Sequence, residues 1–141
     1  MADPVCTLAE LRSAPGQRLQ RRLPSGRGVV LWLLGGGGGE EVAVADHLCY
    51  HHGGPLADGD IEELSLPPAL AAVGGRPSAT VVLCPWHLYK IDIRSGECYY
   101  MGSDAALRSK GVRQRTHGAV IGADGFVGGL GLGGGGVCAA R

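Results

Sequence analysis

Two stretches of this chain, Cys49-Tyr50-His51-His52-Gly53-Gly54-Pro55-Leu56 and Cys84-Pro85-Trp86-His87, each set a thiol donor two or three residues ahead of an imidazole donor inside turn-forming sequence. No other part of the chain concentrates ligands this way. Together they offer a Cys2His2 set. Such a set suits zinc, which takes four ligands in a closed tetrahedron, or a two-iron cluster in which Cys binds one iron and His the other. Zinc fingers of this composition usually group a Cys pair and a His pair, whereas each stretch here is mixed.

The flanking sequence reads as short strands delivering those stretches. Thr7-Leu8-Ala9-Glu10 has capping-box spacing for a helix start, and Ala14-Pro15-Gly16 stops the helix quickly. Short segments follow at about 17–23, 28–34 and 41–46. The second contains the six-residue apolar run Val29 to Leu34, too short for a signal-peptide core or a membrane span, and reads as a buried strand. In the third, Val42 and Val44 alternate with small residues, the pattern of a half-buried strand whose end delivers Cys49.

Asp58-Gly59-Asp60 marks a turn, and Ile61 to Leu64 a short strand. Leu66 to Ser78, with paired prolines, paired glycines and no sustained period, predicts an exposed loop with one helical turn. Thr80 to Leu83 restores strand character ahead of Cys84. Tyr89, Ile91 and Ile93 then alternate with Lys90, Asp92 and Arg94, and Arg94-Ser95-Gly96-Glu97 reads as a hairpin turn into Cys98 to Met101. Val112 to Ile121 predicts one polar-faced strand, and Phe126 to Leu132 a last weak one. The glycine runs at 35–39 and 133–136 read as flexible connectors, with a disordered tail over 133–141.

At 141 residues the chain has the size of one domain, placed at 3–132, with no room for a second catalytic domain. Its 13 basic and 13 acidic residues cancel, so nothing favours nucleic acid. Five cysteines, two of them in ligand-like loops, argue against a secreted disulfide framework and for a reducing compartment. Asp3 and Glu10 argue against an acid-poor transit peptide, so the expected location is cytoplasmic. Neither glycine run is followed by the Lys-Ser/Thr of a phosphate-binding loop.

The spacing C-x-H at Cys49 and His51, followed by Gly53-Gly54-Pro55-Leu56, then C-P-W-H at Cys84 to His87, resembles the Rieske [2Fe-2S] signature. Val44-Ala45-Asp46, Leu56 to Asp60 and Tyr89 to Glu97 look like framework positions of the same family. Cys49 to Leu56, Cys84 to Ile91 and Ser109 to Arg115 are similar to soluble Rieske-domain proteins of animals. The resemblance covers about residues 3–127. It implies an all-β fold of antiparallel sheets with a cluster-binding subdomain formed by two loops. It also implies one [2Fe-2S] cluster per chain, with Cys49 and Cys84 on one iron and His51 and His87 on the other.

The implied role is a soluble one-electron carrier passing electrons between a reductase and an oxygenase or other redox partner, with no membrane span and no catalytic residue. Rieske oxygenases add a mononuclear iron held by two His and a carboxylate. Outside the implied ligands only His47, His52 and His117 remain. The competing reading is structural zinc, because His52 turns the first stretch into C-x-x-H and makes the two stretches symmetrical.

Two departures from the family pattern carry chemistry. The 32 residues between His51 and Cys84 are about twice the usual spacing, with 66–78 as the insertion. Respiratory and photosynthetic members pair an extra Cys in each loop, where this chain has Gly54 and Trp86. They also place Ser and Tyr hydroxyls near the sulfurs, at positions held here by Tyr89 and Ile91. Fewer hydrogen bonds to sulfur imply a potential near the low end of the range, roughly −150 mV. Of the other residues, His47 and His117 read as surface histidines, and Cys6, Cys98 and Cys138 as packed or exposed thiols. Trp86 reads as a shield over the cluster or a core residue. Lys110, Arg113 and Arg115 read as a solvated strand face or as contacts for an acidic redox partner.

Overall fold

The computed structural model describes residues 5–36 and 39–132. The expected tail 133–141, with Cys138, lies outside the described residues. In chain order the strands are β1 (Cys6–Thr7), β2 (Arg18–Arg22), β3 (Gly28–Gly36), β4 (Gly39–Asp46), β5 (Ile61–Ser65), β6 (Ser78–Leu83), β7 (Lys90–Asp92), β8 (Glu97–Met101), β9 (Leu107–Val112), β10 (Thr116–Ile121) and β11 (Phe126–Leu132). Two helices join them, α1 (Leu8–Ser13) and α2 (Pro68–Gly74). The strands form two antiparallel sheets, ordered β1-β11-β10-β4-β3-β2 and β5-β6-β7-β8-β9. No described helix is long and apolar enough to cross a membrane.

The apolar run of β3 is continuous because both of its faces are covered. Val29, Leu31 and Leu33 pack with Cys6, Leu8, Leu11 and Val44 under α1. Val30 and Trp32 point the other way, into a core shared with Val82 and Ile91 of the second sheet and with Leu56 and Ile93. Fully burying one such side chain contributes about 1.5–3 kcal/mol, so β3 is the wall on which both cores depend. The alternation in β4 has the same cause: Ala43 and Ala45 are buried against the second sheet, so this strand is not half-buried as expected. Ala43 lies directly across from Trp32 and leaves room for its ring.

Several expectations hold with their predicted chemistry. Thr7 Oγ1 accepts from the Glu10 N–H at 3.0 Å and the Thr7 N–H donates to Glu10 Oε1 at 2.8 Å, a complete capping box. The Arg94-to-Glu97 turn joins β7 to β8 with Gly96 at φ 80°, where a Cβ would also collide with the Gln114 carbonyl. Asp92, expected on the outer face, is buried. Its carboxylate accepts from the N–H groups of Arg94 and Ser95 and holds that turn.

Other expectations need correction. The run at 35–39 is no connector in its described part, because Gly35 and Gly36 pair with Glu40 and Gly39 to extend the β3–β4 hairpin. Within 66–78 the chain forms α2, about two turns, with Pro68 in its first turn, helix-favouring alanines, and Gly75 left-handed at its end. Leu66 and Leu70 pack toward Val81 and Tyr99, and Ser65 pairs with Ser78, so the insertion caps the β5–β6 hairpin. Val112 to Ile121 is two strands in different sheets. Residues 113–115 cross between them, with Gln114 buried at the crossing.

Candidate metal centre

Both ligand stretches fold into the same small loop. The Cys49 N–H donates to the Gly54 carbonyl at 2.8 Å, and the Gly53 N–H to the Cys49 carbonyl at 2.8 Å. In the second loop, the Cys84 N–H donates to the Tyr89 carbonyl at 3.0 Å, and the Leu88 N–H to the Cys84 carbonyl at 2.7 Å. The fifth residue of each is left-handed: Gly53 at φ 79° and Leu88 at φ 58°. Glycine takes that conformation freely, while leucine takes it against a cost of roughly 1–2 kcal/mol. The first loop follows β4, and the second joins β6 to β7.

The four residues singled out by spacing fall into two layers. Cys49 and Cys84 are 0% and 2% exposed, unpaired by any disulfide, and part of the core with Leu56, Val82 and Ile91. Burial pushes the Cys49 thiol up to about 12; the backbone N–H groups of His51 and His52 oppose this, and the neighbouring Cys84 adds to it. A thiol placed as Cys49 is becomes a thiolate only beside a compensating cation.

Above them the imidazoles gather. The ring centroid of His51 lies 3.9 Å from that of His52 and 5.0 Å from that of His87, and His52 lies 5.1 Å from His87. His51 is half-buried and stacks on Tyr89 at 4.2 Å, with the Tyr89 hydroxyl 3.1 Å from its Nε2. Its Nδ1 is buried without a hydrogen-bond partner. Burial, followed by the charges of His52, His87 and Lys110, lowers the His51 pKa. His52 and His87 are exposed. Among the described residues, no three His, Cys, Asp or Glu side chains form a group that could hold a single metal ion.

Gly54 and Trp86, singled out as a pair by the family pattern, do face each other. A Cβ on Gly54 would stand 2.6 Å from Cys84 Sγ and 3.2 Å from Trp86 Cγ. Trp86 is 57% exposed, so it covers the site from outside and has no core role. Cys98 is a packed thiol that accepts from the Tyr50 hydroxyl at 3.3 Å, and Cys6 is packed as expected. His117 is not a surface residue: its side chain is 5% exposed and its Nε2 lies 2.9 Å from Asp46 Oδ1. His47 is half-buried, and burial lowers its pKa, with the Asp58 charge opposing.

One residue of the site carried no sequence signal. Gln114 is 1% exposed and spans the entry to the first loop. Its Nε2 donates to the carbonyls of Asp46 and Leu48 at 3.1 and 2.9 Å, and its Oε1 accepts from the Tyr50 N–H at 2.8 Å. An amide between two arginines looks like any surface position. Only its place in the family-like Ser109 to Arg115 segment pointed here.

The comparisons with known proteins bear on the family and the fold. The human "Rieske domain-containing protein" is 39% identical over 84 residues, covering 55% of this chain and 46% of that protein, so the chain matches about half the length of this curated relative. The Sphingomonas yanoikuyae B1 ferredoxin superposes with a TM-score of 0.58 at 20% identity, covering 91% of this chain and 96% of that one. A Mycobacterium tuberculosis chain assigned as the small subunit of an NADH-dependent nitrite reductase does so with a TM-score of 0.61 at 16% identity, covering 94% and 96%. These two likenesses concern the fold alone, and they match the expected antiparallel architecture. A sequence profile of the soluble Rieske-type ferredoxins matches residues 17–128, and the chain therefore belongs to that family of electron carriers built around a [2Fe-2S] cluster.

Proposed function

We propose that Cys49 and Cys84 hold one iron of the cluster and His51 and His87 the other, and that the chain carries single electrons between a reductase and an oxygenase or similar redox protein in the cytoplasm. The observation that carries the ligand assignment is the buried, partnerless Nδ1 of His51 above the buried Cys49–Cys84 pair. A buried ring nitrogen without a partner is costly, and an iron there would satisfy it. His52, by contrast, is exposed beside it. When bound, the cluster supplies one-electron reduction and oxidation. Cys49 and Cys84 supply thiolates from the core side. His87, between the exposed Trp86 and Leu88, offers a docked partner a short route to the metal. Tyr89 covers the outer nitrogen of His51 and holds its ring.

The test is a visible spectrum with iron and sulfide analysis of anaerobically purified protein, and of His51→Ala and His52→Ala. About two irons and two sulfides per chain are expected in the parent and in His52→Ala, with loss of both in His51→Ala. Retained iron in His51→Ala, with loss in His52→Ala, sinks the assignment. The zinc reading draws on the matching loops, which make His52 the positional counterpart of His87. Zinc bound without iron, with no reducible absorption, is the result that would favour it.

The potential belongs to the same proposal. The Tyr89 hydroxyl is engaged by His51, and the neighbouring framework position holds Ile91, buried and without a hydroxyl. Two hydroxyls that would stabilise charge on sulfur are thus unavailable to it, and a midpoint of roughly −150 mV is expected. Voltammetry giving a value above about +100 mV would overturn this.

A further inference from the structure

Charge on the five-stranded sheet is segregated across the ligand loops. On the β5 side, Asp58, Asp60 and Glu62 are exposed and form no ion pair among the described residues. At the β9 edge stand Lys110 and Arg113, both exposed. The register aligns Lys90 of the central strand β7 with Tyr99 and Tyr99 with Ser109, so Lys110, one residue on, points to the opposite face from Lys90. Lys110 Nζ sits 4.6 Å from the Tyr89 ring centroid and 5.5 Å from that of Tyr100. Tyr89 in turn stacks on His51, so one aromatic ring separates the ammonium from a proposed ligand.

Neither of these two cations has a carboxylate within 4 Å among the described residues. Arg12, Arg21, Arg27, Arg94 and Arg108 all do, with Glu40, Glu10, Asp46, Glu41 and Asp104. The Arg113 Nε donates to the Lys110 carbonyl at 3.1 Å, which fixes the two cations side by side. Arg18, Arg22, Arg76 and Arg115 likewise form no ion pair among the described residues, but only Lys110 is recorded over the aromatic ring that stacks on His51. Because opposite charges elsewhere cancel the positive charge of this rim at long range, it acts only at close approach, where it sets orientation.

We propose that Lys110 and Arg113 form the docking rim for an acidic redox protein, which approaches over Tyr89 and the β9 edge and away from the acidic β5 edge. This rests on the ligand reading above only for its distance to the metal; the docking itself does not need the metal. A solvated strand face would leave partner binding indifferent to these residues.

The experiment titrates the full chain with an acidic b-type cytochrome, with basic cytochrome c as control, and follows heat of binding and stopped-flow electron transfer from the dithionite-reduced protein. Each acceptor takes one electron onto its haem iron as the reduced protein gives one up. Binding to the acidic cytochrome should weaken as salt rises. Lys110→Glu with Arg113→Glu should weaken binding at low salt by about tenfold or more and slow transfer in proportion. Glu62→Lys should not weaken it, and the double variant's visible spectrum should match the parent's. Equal affinity in parent and double variant, or preference of the parent for cytochrome c, overturns the rim. Binding is read whether or not iron is present, so a chain without visible iron–sulfur absorption defeats the ligand reading alone.

Discussion

Gln114→Leu is expected to strip the protein of most of its iron and to destabilise even the iron-free chain. Leucine fills a similar volume but makes none of the three hydrogen bonds to Asp46, Leu48 and Tyr50. With the side chain 1% exposed, water does not reach in to replace them. Each orphaned buried group costs about 1–3 kcal/mol, so the loss is roughly 3–9 kcal/mol against a typical total of about 5–15. The loss falls on residues 46–50, which set the direction of Cys49. Gln114→Glu should be little better, because it puts an acceptor against the Asp46 and Leu48 carbonyls. Iron content and thermal unfolding of iron-free and iron-loaded forms decide the matter. Full iron with an unchanged melting temperature would remove Gln114 from the site.

Gly54→Ala should also lose iron, with a different signature. The added methyl stands 2.6 Å from Cys84 Sγ, closer than real contacts allow. Trp86 is exposed and can swing aside, but Cys84 is enclosed, and its sulfur has to leave the place where it faces Cys49. The strands are untouched, so iron-free Gly54→Ala should lose less stability than iron-free Gln114→Leu. Gly53→Ala is the control. A methyl there meets nothing within 4 Å, and the φ of 79° alone costs roughly 1–2 kcal/mol. It should keep its iron. Retention in Gly54→Ala, or equal loss in both variants, would show that the close approach to Cys84 does not govern the site.

The elements legible in the sequence were those whose signal is local. The capping box, the β3 run and the Gly-bearing turns follow from neighbouring residues, and the mixed Cys/His loops from their spacing. What was missed depends on which surface covers a residue. Ala43, Asp92 and His117 were assigned to open or half-open faces because their own segments are polar or small; packing against another element buries each. The split between β9 and β10 escaped because a change of sheet leaves period-two patterning intact. Gln114 escaped because its importance lies in three backbone groups some 65 residues away in sequence. In α2, a proline at the start and a left-handed glycine at the end were read as loop punctuation when they were helix boundaries.

The two matching loops hang from different halves of the molecule, one from β4 of the six-stranded sheet and one between β6 and β7 of the other. A metal group gripped by both would therefore be a rivet between two plates as well as a redox centre. Cys49 and Cys84 bracket about 35 residues, and by loop-closure entropy a link between them restrains the unfolded chain by about 4 kcal/mol. Oxidative loss of the group would then loosen the seam that aligns His51, Tyr89 and Lys110, so chemical damage and loss of partner recognition would arrive together.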